Sequence, residues 1–165
     1  MRFDSLCAAR WLALLLPLAL VGGAHITEFF GLVPCEMCWW QRWPHYAAVL
    51  IALSAFLVKN RKAQLLLVLL AGLAVAISGG IGVFHAGVEY KWWQGITACT
   101  AQVHGSNPMD MLTDALRRPL IRCDVPQWTL FGISLAGFNA IFSLTGAVVI
   151  FVLALRPSGL GGRSA

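Results

Sequence analysis

Pro34-Cys35-Glu36-Met37-Cys38-Trp39-Trp40-Gln41-Arg42 sets two cysteines within one helical turn and an arginine four positions after the second, amid long apolar runs. Such a pair forms a readily exchanged disulfide, because a low-pKa thiolate both attacks and leaves well. If the stretch is helical, the Arg42 guanidinium lies one turn from Cys38, where it favours a thiolate and would stabilise any anion formed beside that sulfur. The plainer reading of Arg42 is an interfacial anchor that snorkels to headgroups. The plainer reading of the pair is half a zinc site. Zinc takes four closed ligands, however, and Cys99 and Cys123 stand far apart with no second CxxC, so no metal is expected.

The apolar runs decide the class. Of 165 residues, 59% are hydrophobic and 12% charged, and the mean hydropathy is +0.75, far from a soluble average. A helix needs roughly 20 apolar residues to cross a hydrocarbon core of about 30 Å, and the chain offers four such stretches. The expected fold is therefore an all-α membrane protein, a single integral domain over residues 1–165 with spans at about 11–33, 43–58, 63–88 and 128–155. A cleaved signal peptide competes for residues 1–24, but apolar character resumes at Ile26 and reaches Val33, which favours a retained span. The second span is short, so its helix is expected to begin nearer Cys38 and to tolerate Pro44 as an early kink. Gly72, Ala76 and Gly80 in the third span, and Gly132, Ala136 and Ala140 at the fourth, give small faces for close packing in lipid. Asn139, near mid-membrane, is expected to hydrogen-bond to a neighbouring helix.

Two loops lie on one side, at about 34–42 and 89–127. In the second, Asn107 can cap a helix with Pro108 at its first position and Asp110 in its first turn. Met109, Leu112, Leu116 and Leu120 then share a face opposite Asp114, Arg117 and Arg118, the pattern of a short amphipathic helix. The twelve Lys and Arg outnumber seven Asp and Glu but are scattered, so nucleic acid is not an expected partner. They set topology instead. Arg2, Arg10, Lys59, Arg61, Lys62, Arg156 and Arg163 lie tight against the spans on the side of the termini, which places both termini in the cytoplasm. Trp39, Trp40, Trp43, Trp92, Trp93 and Trp128 gather at the opposite headgroup layer. Cys35, Cys38, Cys99 and Cys123 fall on that noncytoplasmic side, an even set that implies redox pairing. Cys7, on the other side, reads as an inert thiol.

These residues carry a resemblance. Four spans, the pattern PCxxCxxxR at the second, a separated cysteine pair in a long second loop, Pro126-Gln127-Trp128 before the fourth span, and His85-Ala86-Gly87-Val88-Glu89 with Lys91-Trp92-Trp93 are together similar to the DsbB family of bacterial inner-membrane thiol:quinone oxidoreductases. The resemblance covers nearly the whole chain. It implies that the loops are periplasmic and that a reduced thioredoxin-like partner of DsbA type attacks a Cys99–Cys123 disulfide at Cys99. Cys123 then passes electrons to the Cys35–Cys38 pair by attacking Cys35. Cys38 is left facing a membrane quinone, ubiquinone or menaquinone, with Arg42 matching the family's charge-stabilising arginine and His85 a residue of its quinone pocket. Taken alone, His85 is a histidine at a helix end, able to donate a hydrogen bond to a quinone carbonyl but better suited to a structural or interfacial place. His25 and Glu28 have no assigned role; Glu28 reads as a snorkelling carboxylate, and His45 and His104 as interface and loop residues. Two rivals frame the expectation. A vitamin K epoxide reductase-like protein also presents CxxC to a quinone from a four-helix bundle, but there the redox loop comes first and the CxxC last. The other is a noncatalytic membrane scaffold with two structural disulfides.

Overall fold

The structure is a computed structural model that describes residues 5–97, 107–110, 116 and 122–156. Its frame is four long helices: α1 (Ser5–Phe29), α2 (Glu36–Leu57), α3 (Arg61–Glu89) and α4 (Leu135–Leu155). The helix α3 packs between α2 and α4, and α1 lies against both of those. Three of the four, α1, α3 and α4, are long and apolar enough to cross a membrane. The 29 residues of α3 reach about 43 Å at 1.5 Å per residue. The helix α2 falls below that apolarity because its first half carries Gln41, Arg42 and His45, all buried.

The partition of side chains by size is the reverse of a soluble bundle's. Alanines fill the interior (Ala9, Ala13, Ala48, Ala52, Ala55, Ala71, Ala147), while Leu15, Leu18, Leu50, Leu66, Leu73, Val148 and Val152 stand outside. In water that arrangement would expose the residues with the most to gain from burial. Against lipid tails no such gain exists, and small residues win the interior because they let backbones approach and make more contacts. The face on α3 that does this is shifted from the expected one. A Cβ on Gly72 would sit 3.1 Å from Ile150, and one on Gly79 only 2.8 Å from Leu144. Gly80 instead has open space and points outward. Of the expected Gly72, Ala76 and Gly80, only Gly72 is a close-packed glycine; the interhelical crossing uses Gly79 and Gly82 beside it, which the four-residue spacing does not pick out.

Helix ends follow local chemistry. Asn60 starts α3 by accepting from the backbone N–H groups of Lys62 (2.9 Å) and Ala63 (3.3 Å), and α2 starts at Glu36 and runs through Pro44 as expected. The fourth helix begins later than expected. Instead of helix from Trp128 there is a hairpin, β1 (Thr129–Leu130) paired antiparallel with β2 (Ile133–Ser134). Both turn residues, Phe131 and Gly132, have positive φ, 52° and 77°, as a two-residue primed turn requires. The Tyr90 hydroxyl anchors it, donating to the Gly132 carbonyl and accepting from Ser134 N–H, each at 2.8 Å. Of the expected amphipathic helix, residues 108–110 are helical, and Asn107 Oδ1 accepts from Asp110 N–H at 2.9 Å. Leu112, Asp114, Arg117, Arg118 and Leu120 lie outside the described residues.

Candidate functional site

The chain reaches the cysteine pair through a sharp reversal. Gly31, at φ +92°, lets its N–H meet the Glu28 carbonyl (2.8 Å) and Leu32 N–H meet the Thr27 carbonyl (3.1 Å), a closure of α1 that needs a residue with left-handed backbone. Four residues later Cys35 is the N-cap of α2, its sulfur accepting from Cys38 N–H at 3.3 Å. The two cysteines thus straddle a helix N-terminus, where free N–H groups and the helix dipole favour negative charge. Their sulfurs are 2.9 Å apart and unbonded. The hydrogen bond shared with Cys38, then burial, raise the Cys35 thiol well above the usual range.

Arg42 and His85 join them. Arg42 lines the same pocket as Cys35, Cys38, His85 and Glu89 and lies within electrostatic range of Cys38. The guanidinium is itself held, by Glu28 Oε1 at 2.5 Å and the Ala24 carbonyl at 3.4 Å, with the Trp39 ring 5.1 Å away. His25 bridges Glu28 and the Tyr46 hydroxyl, 2.8 Å from each. Glu28 is therefore the counter-ion of Arg42 rather than a carboxylate reaching for water, a role hidden in the sequence because the two residues sit on different helices. His85 Nε2 stands 3.6 Å from Cys35 Sγ and 3.7 Å from Glu89 Oε1. Glu89 hydrogen-bonds Ser134, and its Oε2 is buried without a partner.

Cys123 is brought to the same place by two clamps. Lys91, in a left-handed conformation at φ 62°, donates to the Asp124 carbonyl at 2.5 Å and carboxylate at 2.6 Å, and Arg122 adds two bonds to that carboxylate. Arg122 first and then Lys91 hold the Asp124 carboxyl well below the usual aspartate range. On the other flank the Gln127 amide pairs with the Val33 backbone, accepting from its N–H at 3.1 Å and donating to its carbonyl at 2.6 Å. Just before the two clamps Cys123 is disulfide-bonded and buried in one cluster with Cys35, Met37 and Val88. Cys99 lies outside the described residues, and Cys7 is a free thiol far from the pocket.

Cys35, Cys38 and His85 also offer three ligand atoms within 4.8 Å of one another, a donor set that zinc accepts. Cysteine spacing alone does not reveal His85 as a third ligand. Asn139 bonds to neighbouring helices as expected: its amide donates to Gln41 Oε1 on α2 at 2.8 Å and to the Ser78 carbonyl on α3 at 3.2 Å. His45, read as an interface residue, is in the same buried group, 2.9 Å from Asn139 Oδ1. Gln127, Glu89 and Gln41 were not singled out; the position of Gln127 in the Pro126-Gln127-Trp128 motif was the available signal.

Comparison with known proteins agrees with this geometry. Residues 7–153 match the family model of disulfide bond formation protein DsbB. A disulfide bond formation protein B of Marinobacter nauticus is 29% identical, covering 91% of this chain and 95% of its own length. One of a Polaromonas species is 31% identical over 81% of each, and disulfide bond formation protein B 2 of Pseudomonas syringae is 31% identical over 88% of this chain and 87% of its own. No solved structure is a significant match. With a membrane-type bundle, a dithiol at a helix N-terminus and a disulfide-bonded cysteine packed against it, the chain belongs to the DsbB family.

Proposed function

We propose that this protein reoxidises a periplasmic dithiol protein of DsbA type and passes the electrons to a membrane quinone, sustaining disulfide formation. In this reading it is a four-span bundle of the bacterial inner membrane, with both termini in the cytoplasm and the Cys35 end at the periplasmic face. The observation that supports it is that Cys123 and Cys35 are buried in one cluster, with Cys35 lining one pocket with Cys38, Arg42 and His85.

The electrons move in pairs. The partner's two thiols become a disulfide while the Cys99–Cys123 disulfide becomes two thiols. Cys123, as a thiolate, then attacks Cys35 of the Cys35–Cys38 disulfide and Cys38 leaves as a thiolate. Cys99 resolves the Cys35–Cys123 bond, restoring its disulfide and leaving a Cys35–Cys38 dithiol. Regeneration of the Cys35–Cys38 disulfide sends two electrons and two protons to quinone, a two-electron acceptor that supplies the pull a strongly oxidising partner demands. The pocket's chemistry supports this reading: Leu32, Val33, Val125, Trp128 and Leu135 give apolar walls, and Arg42 and His85 stand among them. Arg42 stabilises negative charge beside Cys38. His85 offers a hydrogen bond at the same wall. Glu28 keeps Arg42 oriented while leaving it beside the sulfur.

The test is turnover of the purified protein with a reduced thioredoxin-like partner and ubiquinone. Cys38→Ser and Cys99→Ser are each expected to abolish it, Cys99→Ser by blocking productive exchange with the partner. Full activity in either variant refutes the relay.

A further inference from the structure

We propose that Gln41 and Asn139 are positioning residues that hold His85 as the Nε2–H tautomer, aiming its ring proton at Cys35 and Glu89. The role assigned to that proton rests on the relay above; the tautomer itself rests on hydrogen-bond roles alone.

The chain of roles begins at a backbone carbonyl, which can only accept. Asn139 Nδ2 lies 3.2 Å from the Ser78 carbonyl, so this end of the amide is the NH2. Its other end, Oδ1, takes the Ser143 hydroxyl and His45 Nε2, each at 2.9 Å. The Asn139 NH2 also reaches Gln41 Oε1 at 2.8 Å, which fixes that atom as an acceptor. Gln41 is pinned independently at its other end, where Nε2 donates to the Met37 carbonyl at 3.2 Å. Turning the Gln41 amide over would set N–H against N–H at Asn139 and oxygen against oxygen at Met37. The remaining contact of Gln41 Nε2 is His85 Nδ1, at 2.7 Å. A donor at that distance requires Nδ1 to be the unprotonated nitrogen, so the single proton of the neutral ring is on Nε2.

Two consequences follow. His85 meets Cys35 Sγ as a hydrogen-bond donor, with Glu89 Oε1 farther off at 3.7 Å on the same side, and has no lone pair there with which to take the Cys35 proton. For the same reason Nε2 is not free to complete a metal site with Cys35 and Cys38, although the three ligand atoms lie close enough. Gln41 is buried, with Ser78, His45 and Ser143 buried around the chain of amides. Only one pattern of donors and acceptors satisfies the contacts among Asn139, Gln41 and His85, and leaving one of them unpaired in such a place is costly.

Nitrogen-15 NMR of the reduced, full-length protein in micelles without quinone reads the tautomer directly, the His85 signals being assigned by their loss in His85→Asn. The expected result is a pyridine-type Nδ1 and a pyrrole-type Nε2. Gln41→Glu puts an acceptor opposite Nδ1 and is expected to convert Nδ1 to pyrrole type. Asn139→Asp, which does not touch His85, is expected to do the same by turning Gln41 over. Each variant is expected to lower thiol-dependent quinone reduction about tenfold, the loss of one well-placed hydrogen bond. A pyrrole-type Nδ1 in the wild type, or unchanged His85 signals in both variants, overturns the proposal. If the wild type gives the expected signals but reduces no quinone, the relay falls and the tautomer stands; if it turns over with the opposite tautomer, only this proposal falls.

Discussion

The two ends of the bundle are built from the same helices and on opposite principles. Toward the start of α1, the interior is Leu6, Ala9, Ala13, Ala52, Ala55, Val68, Ala71, Ile150 and Ala154, with Arg10 set over the Phe56 ring and its Nε buried. Toward the start of α2, the buried residues include Gln41, Arg42, His45, Ser78, His85 and Ser143. Hydrogen bonds tie five of these, all but Arg42, with Asn139 across α2, α3 and α4. Apolar packing suffices to hold helices together in lipid. Polar and ionisable groups at that depth cost free energy and persist where they carry function. The difference assigns assembly to one end and chemistry to the other.

Substitutions at the two ends should therefore separate turnover from stability. Arg42→Ala is expected to have the largest effect among residues other than the cysteines, slowing quinone reduction about 100-fold, the scale for removing a group that stabilises developing charge. Exchange with the thioredoxin-like partner should stay largely intact. Unchanged apparent quinone affinity and rate would make Arg42 only an anchor. Gln127→Ala removes both bonds to Val33 and, at about 1 kcal/mol for each, should slow electron transfer from the Cys123 pair to the Cys35 pair about 30-fold. Rapid-quench trapping of the thiol states measures that step. At the apolar end, Ala71→Leu should instead lower stability by about 1–3 kcal/mol through overpacking, seen in denaturant titration, with turnover per folded molecule within about twofold of wild type.

The smallest expected effect is that of pH on the Asp124 clamp. Its folded carboxyl titrates below the unfolded one, so its contribution is complete above the ordinary aspartate value of about 3.9. It is lost only as the pH falls through the lower folded value. Protection of the Cys123 disulfide from a small reductant should thus be flat across neutral and mildly acidic pH, and Asp124→Asn should lower it at every pH in that range.

What could be read from the chain was what depends on composition and short spacing. The apolar runs predicted helices at all four places, and Pro34-Cys35-Glu36-Met37-Cys38 followed by Arg42 marked the site. The separated Cys123 belonged to a long loop whose path no local pattern specifies; it reaches Cys35 through Lys91, Asp124 and Gln127, contacts set by tertiary geometry. Gly80 was misplaced because spacing along a helix does not reveal its rotation toward a neighbour. Glu28 had no evident partner because Arg42 is on another helix. The hairpin at 129–134 was absorbed into the fourth span because Phe131, which adopts the strained turn conformation, is not a turn residue by type.

The central claim is that Cys123 hands electrons to Cys35. It is tested most directly by removing the outer cysteine of each pair, Cys99→Ser with Cys38→Ser, and mapping disulfides in the purified membrane protein by mass spectrometry under nonreducing conditions. The two sulfurs that share one buried cluster should then be found joined as Cys35–Cys123. A folded double variant in which both remain free thiols after mild oxidation would contradict the account.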